Sequence, residues 1–228
     1  MKLINEINIT NKKILIRVDF NVPLKNDRIL STFRLDQSLN TIKYCLGKNA
    51  SIILMSHLGR PKGKDPKLSL RPIHKYLNSH FPNKVFFTDD CISDKSLIKS
   101  KSLLCGQIHL LENLRYYSEE LKNSEDFARK LSHHADIYVN DAFGTSHRKH
   151  ASNSSILSFF CNKAIGLLMD KELSYLTNLN LNTGNGLTLL LGGAKVSTKL
   201  SIIRFFLDKA DKILVGGGMA FTFLKALG

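Results

Sequence analysis

Acidic residues are scarce in this chain, and so are cysteines and long apolar runs. The 228 residues carry 19 Asp and Glu against 33 Lys and Arg, a formal net charge of +14. No stretch reaches the roughly 18 apolar residues that a membrane-spanning helix needs, so no membrane association is expected. The opening residues, MKLINEINITNKK, hold no apolar run followed by a small-residue cleavage site, and no secretory leader is expected. The four cysteines, Cys45, Cys91, Cys105 and Cys161, lie far apart without a C-x-x-C pair. That spacing argues against a zinc site or a disulfide framework and for free thiols in a reducing cytoplasm. Internal repeats and low-complexity tracts are lacking too.

What remains is the composition of a soluble globular protein, 43% hydrophobic and 23% charged. The length allows one large domain, or one domain and part of another. The positive balance has three readings. It could mark a nucleic-acid partner, since clustered Lys and Arg neutralise phosphates and release counterions. No zinc-finger spacing, RRM aromatic signature or arginine-rich arm accompanies it, so no nucleic acid is expected. It could be lysine spread over solvated faces, and segments 95–101 and 182–185 read as ordinary polar connectors. Or part of it could serve a small, multiply phosphorylated substrate. The placement of the arginines decides between these.

Short apolar runs recur, each followed by a polar turn and a helical pattern. They fall at residues 14–18 (ILIRV), 52–55 (IILM), 85–87 (VFF), 108–111 (IHLL), 137–139 (IYV), 187–191 (LTLLL) and 213–215 (ILV). Continuous runs this short suit strands covered on both faces. Residues 36–47 place Leu39, Ile42, Cys45 and Leu46 on a helical period. Residues 118–134 do the same with Leu121, Phe127, Ala128 and Leu131, with Ser124 as a possible cap. Alternating strand and helix argues for an α/β fold, a parallel sheet with helices on both faces. A helix over 171–179 followed by the polar stretch 180–186 predicts a domain boundary. The division expected is 1–179 and 186–228, the latter holding only a strand, a helix, a strand and part of a helix.

Ligands of parallel sheets bind beyond the carboxyl ends of the strands, so the residues immediately after each run carry the functional information. Asp19 and Asn21 follow the first run, His57 and Arg60 the second, Arg115 the fourth, and His147 and Arg148 the fifth. A lone arginine after a strand is usually a solvated surface group. Convergence is different, because like charges repel unless an anion or acidic partners hold them together. The planar guanidinium fork matches phosphate oxygens, and the cluster reads as a phosphate-binding pocket.

Two glycine-rich turns follow. Residues 187–191 run into Gly192, Gly193, Ala194 and Lys195, with Lys199 beyond; residues 213–215 run into Gly216, Gly217 and Gly218. Neither matches G-x-x-x-x-G-K-[ST] or G-x-G-x-x-G. Such glycines let backbone N–H groups approach phosphate, or they merely permit a tight strand-to-helix turn.

The segments RVDFNVPL (17–24), SHLGRPKG (56–63), LLENLRYYSEE (110–120), VNDAFGTSHRKHAS (139–152), LGGAKVSTKL (191–200) and VGGGMAFTFLKALG (215–228) together resemble phosphoglycerate kinase. They occur in that family's order over nearly the whole chain. The resemblance implies a three-layer Rossmann-like domain that holds 3-phosphoglycerate, joined by a hinge helix near 171–179 to the first βαβ portion of a second, nucleotide-binding domain. It implies transfer of a phosphoryl group between 1,3-bisphosphoglycerate and ADP, giving 3-phosphoglycerate and ATP, in a cytoplasmic glycolytic enzyme that is a monomer at full length.

By the same resemblance Asp19 and Asn21 bond the glycerate hydroxyl and carboxylate. His57, Arg60, Arg115 and Arg148 grip the non-transferring phosphate. Arg34, which alone would read as a helix-surface residue, meets the transferring phosphoryl group. Lys195 and Lys199 approach that group and the nucleotide phosphates, with Gly216, Gly217 and Gly218 lining the same cleft. Family members extend further, and that half carries the adenine pocket and the acidic residue for Mg2+. This chain is therefore expected to be a fragment that binds 3-phosphoglycerate without turnover and holds no metal site. It should also expose the apolar residues of 187–191, 213–215 and 221–227. The alternative is a stand-alone anion- or nucleic-acid-binding module derived from the kinase. Thr198 and the pair Phe205 and Phe206 depart from the family's usual more polar residues.

Overall fold

The computed structural model describes residues 2–181 and 186–228. The chain divides into two compact units, Met1–Glu172 and Leu173–Gly228. The first contains β1 (Lys2–Leu3), β2 (Lys13–Val18), β3 (Leu24–Lys25), β4 (Arg28–Ile29), α1 (Phe33–Gly47), β5 (Ser51–Met55), α2 (Arg71–His80), β6 (Val85–Phe87) and α3 (Asp94–Lys101). It continues with β7 (Ile108–Leu110), α4 (Ser118–Leu121), α5 (Glu125–Ser132), β8 (Ile137–Asp141), α6 (Phe143–Ser146), β9 (Asn162–Ile165) and the start of α7 (Leu167–Leu181).

Seven strands form one parallel sheet in the order β1-β9-β8-β2-β5-β7-β6, while β3 and β4 make a separate antiparallel hairpin. Alternation along the strands sends side chains into two cores. Ile14, Ile16 and Val18 of β2, with Ile52, Leu54, Ile108, Leu110, Ile137 and Val139, pack against Leu35, Leu39 and Ile42 of α1 and Ile73 and Leu77 of α2. Leu15, Ile53, Met55 and Tyr138 point the other way, onto Phe127, Ala128 and Leu131 of α5. Each fully buried side chain of this size contributes about 1.5–3 kcal/mol, so the two cores fix the three-layer α/β architecture. Chain order reverses around β2: β5 lies on one side and β8 on the other. That places a topological switch point at the centre of the sheet.

Four local readings differ from the structure. Residues 95–101, read as a connector, belong to helix α3. Ser93 caps it, its hydroxyl accepting from the N–H of Ser96, and its buried residues are Ser96 and Ser100. A buried face made of serine leaves no hydrophobic period to read. The single helix expected over 118–134 is two helices, because Asn123 takes a left-handed φ of 55° between them. The cap at Ser124 is present, accepting from the N–H of Phe127 at 3.4 Å. Strand β9 went unread because two of its four residues are exposed, and β1 because it has only two. The connector at 182–185 lies outside the described residues, and the helix expected over 171–179 falls within α7.

The second unit contains β10 (Thr188–Leu191), α8 (Leu200–Phe206), β11 (Lys212–Val215) and α9 (Gly218–Leu227). Strands β10 and β11 pair in parallel, Leu189 opposite Ile213 and Leu191 opposite Val215.

Candidate functional site

The loops after the central strands are stitched together by side chains. Ser56 Oγ accepts from the N–H of Phe20 at 2.9 Å, and Asn21 Oδ1 accepts from the N–H of Gly59 at 2.9 Å. Asn113 Oδ1 accepts from the N–H groups of Leu58 and Arg115, while its amide donates to the carbonyls of Leu58 and Leu68. Arg115 Nη1 donates to the Gly59 carbonyl at 2.6 Å. Glycine suits position 59: its φ is +60°, where a side chain is strained, and a Cβ there would stand 2.8 Å from Leu68 Cδ2. The loops following β2, β5 and β7 therefore form one rigid rim.

Positive groups converge on that rim. Arg17, on β2, is fully buried; His57 is 3% exposed and Arg115 8% exposed. Burial first, and then the charges of Arg17, Arg115, Arg148 and His150, push the His57 imidazole down to about 2, so it is neutral at physiological pH. Arg115 is pulled below the usual guanidinium value by burial and by Arg148, Arg17 and Arg60. Its Nε is buried without a hydrogen-bond partner among the described residues. Arg148 is half-buried and Arg60 exposed. A buried guanidinium N–H without a partner amid like charges has the chemistry to receive an anion.

Asp19 and Arg34 form a different arrangement. Arg34 Nη1 donates to Asp19 Oδ2 at 2.6 Å. Both line a cavity of about 380 Å³, with Gln37, Asp141, Phe143, Gly144 and Glu172 among its walls. His57, Arg60, Arg115 and Arg148 do not line it. Burial raises the Asp141 carboxyl, although its Oδ1 accepts from the N–H groups of Leu168 and Met169 at 3.0 Å each. Glu172 is raised by burial and then by Asp141 and Asp19. A second cavity of about 380 Å³, lined by Lys64, Asp65, Arg71, Lys75, Asp89 and Glu112 among others, contains none of the predicted residues.

In the second unit Lys195 is exposed and Lys199 half-buried. Gly217 has φ +69°, and a Cβ there would lie 3.1 Å from the backbone N and O of Gly193; the N–H of Met219 donates to the Gly193 carbonyl at 2.8 Å. The two glycine turns thus pack backbone to backbone. Gly217 is required by that contact whatever else it does. A Cβ at Gly216 or Gly218 would meet only ordinary van der Waals contacts. No group of three His, Cys, Asp or Glu able to hold a metal occurs among the described residues.

Sequence reasoning missed Arg17, Glu120, Ser152 and His150. Arg17 Nε donates to Ser152 Oγ at 3.0 Å, and Ser152 donates to the fully buried Glu120. His150 Nδ1 stands 3.8 Å from Glu120 Oε1, whereas the neighbouring His147 is exposed. The available signal was Arg17 itself, a charge inside the otherwise apolar run of residues 14–18.

A parallel sheet with helices on both faces and a polycationic carboxyl edge defines a three-layer α/β protein of the doubly wound class. Comparison with known proteins narrows this. The family description Phosphoglycerate kinase matches residues 4–228. The chain is 48% identical over 230 residues to the phosphoglycerate kinase of Finegoldia magna, covering 100% of this chain and 58% of that protein. It is 42% identical over 228 residues to that of Aquifex aeolicus, covering 100% of this chain and 57% of the relative. Among solved structures, the phosphoglycerate kinase of Pyrococcus horikoshii superposes with a TM-score of 0.89 at 31% identity, over 100% of this chain and 58% of the other. That of Coxiella burnetii gives 0.86 at 34% identity, over 99% and 57%. The chain belongs to the phosphoglycerate kinase family and spans somewhat more than half the length of these relatives.

Proposed function

We propose that this chain is the substrate-holding part of a glycolytic phosphoglycerate kinase, which moves a phosphoryl group between 1,3-bisphosphoglycerate and ADP to give 3-phosphoglycerate and ATP. The carrying observation is the rim of buried Arg17, Arg115 and neutral His57 with half-buried Arg148, in which Arg115 Nε has no partner among the described residues. In this reading the first unit holds 3-phosphoglycerate. His57, Arg60, Arg115 and Arg148 take the non-transferring phosphate, and Asp19 and Asn21 the hydroxyl and carboxylate. Arg34 exchanges Asp19 for the substrate's reacting end. The second unit begins the nucleotide-binding domain. Lys195 and Lys199 face the transferring group, and the backbone of Gly216, Gly217 and Gly218 borders the nucleotide.

The chemistry asks little covalent help of the protein. The attacking carboxylate or ADP phosphate is already ionised near neutral pH, so the requirement is alignment and positive charge on the transferring oxygens. Mg2+ would shield the nucleotide phosphates, and its ligand belongs to the part of the family's length that this chain does not span. Closure of two domains would exclude competing water. The chain by itself then binds 3-phosphoglycerate without ATP-linked turnover, and the full-length protein works as a cytoplasmic monomer. No helix among the described residues is long and apolar enough to cross a membrane.

Calorimetric titration of 3-phosphoglycerate into the chain tests this. One-to-one binding that Arg115→Met weakens by about tenfold or more is expected, the loss of a charge-assisted bond. Absence of binding, or turnover by this chain alone, overturns the reading.

A further inference from the structure

Glu120 and Ser152 hold no position that the motifs assign to substrate, yet their hydrogen bonds determine the state of one that does. Glu120, in α4, is fully buried, and a buried carboxylate needs partners. Ser152 supplies two: its N–H donates to Oε2 at 2.9 Å and its hydroxyl to Oε1 at 2.6 Å. Tyr138 fixes Ser152 from the sheet, its hydroxyl donating to the Ser152 carbonyl at 2.8 Å.

The Ser152 hydroxyl has a single hydrogen, already given to Glu120, so toward Arg17 it can only accept, and Arg17 Nε donates to it at 3.0 Å. A second Arg17 branch, Nη1, donates to the Val18 carbonyl. The third, Nη2, meets His57 Nδ1 at 3.1 Å. A guanidinium has no acceptor, so Nδ1 must accept and cannot carry a proton. The ring proton therefore sits on Nε2, which makes no hydrogen bond among the described residues.

We propose that Glu120 and Ser152 are positioning residues that, acting through Arg17, lock His57 in its Nε2–H tautomer, so that the arginine rim presents a neutral N–H donor to the phosphate of a phosphorylated carboxylic acid. The proposal deepens the function proposed above and rests on it for the identity of the anion, but the tautomer does not. A neutral donor suits this place, because a further cation would be repelled by Arg17, Arg115 and Arg148. The groups facing the cluster are Arg17 and Asp19 from β2 and the loop after it, Tyr138 from β8, Arg115 from the loop after β7, Arg148 and His150 from the segment after α6, and Glu120 from α4.

Long-range proton–nitrogen NMR on isotopically labelled histidine reads the tautomer directly. In the wild type, His57 should keep a bare Nδ1 and a protonated Nε2 from about pH 5 to about pH 8, the range where an ordinary histidine titrates. Ser152→Ala should release the ring into mixed tautomers and weaken 3-phosphoglycerate binding about tenfold, and Ser152→Thr, which restores a hydroxyl, should recover both. A proton on wild-type Nδ1 overturns the relay without any variant. So does a folded Ser152→Ala protein with unchanged tautomer and affinity. Should the wild type hold the Nε2–H form yet bind no 3-phosphoglycerate, the relay stands and the phosphate-seat reading falls.

Discussion

Arg34 and Asp19 satisfy each other across 2.6 Å, tying the first turn of α1 to the loop after β2. Both were expected from the family resemblance to meet substrate, and here each occupies the other. Half of the Arg34 side chain is exposed, so the pair contributes only about 0–1 kcal/mol to stability. Parting the two side chains therefore costs little.

Arg34→Ala should therefore leave urea-denaturation stability within about 1 kcal/mol of wild type while weakening 3-phosphoglycerate binding about tenfold. A large stability loss with unchanged affinity would make the pair structural and remove Arg34 from the site.

A second pair of histidines gives the fold an acid limit. Thr88 Oγ1 meets His109 Nε2 at 2.8 Å, Ser100 Oγ meets both His109 Nδ1 at 2.7 Å and His134 Nδ1 at 2.6 Å, and His134 Nε2 reaches the Cys91 carbonyl at 2.9 Å. Burial, then mutual repulsion and Lys99, push His109 down to about 3. Burial, opposed by the hydrogen bond to the Cys91 carbonyl and aided by the smaller effects of His133 and Lys101, pushes His134 down to about 4. Both folded values lie below the ordinary 6.5, so the neutral forms stabilise the fold. That stability is complete above pH 6.5 and is lost as pH falls toward 4 and then 3, at about 1.4 kcal/mol per histidine per pH unit. Chemical denaturation at successive pH values should show this decline, and His109→Gln should flatten it by about one proton. An unchanged slope would refute the assignment.

Gly166 stands immediately before α7, where a Cβ would lie 2.2 Å from Asp141 Oδ1. That oxygen is held by the N–H groups of Leu168 and Met169 and cannot move aside freely. Gly166→Ala should cost about 1–3 kcal/mol by overpacking. Gly47→Ala is the control: nothing lies within 4 Å of its added methyl, and a gain of about 0.5–1 kcal/mol is expected. Equal thermal shifts for the two variants would contradict the steric account.

The second unit exposes Leu190, Leu214, Phe205, Phe221, Leu224 and Leu227. An apolar surface of this kind associates or binds dye. The purified chain should enhance a hydrophobic dye's fluorescence and self-associate with rising concentration in light scattering. A dye-silent monomer would show that this surface is not sticky.

The positive charge of the whole chain leaves one competing reading, an anion- or nucleic-acid-binding module. Oligonucleotide binding that saturating 3-phosphoglycerate fails to displace would favour it; displacement or no binding is expected.

Strands β2, β5 and β8 were legible because burial on both faces leaves short, mostly apolar runs, broken in β2 by Arg17. Helix α3 was not, since serine forms its buried side, nor was β9, half of which is solvated. At the site, Asp19, His57, Arg60, Arg115 and Arg148 could be read from position alone, as residues following strands. Arg34 required the family resemblance, because its meaning lies in a contact with Asp19, fifteen residues away in sequence. Glu120 gave no signal at all. On paper it is one more acidic residue near a helix start, and only tertiary packing turns it into a buried counter-charge for Arg17.

The most direct measurement is a crystal structure of the chain with 3-phosphoglycerate. The account predicts phosphate oxygens on His57 Nε2, Arg115 and Arg148, with Arg34 parted from Asp19. Density for the ligand elsewhere, or its phosphate away from those three side chains, would contradict it.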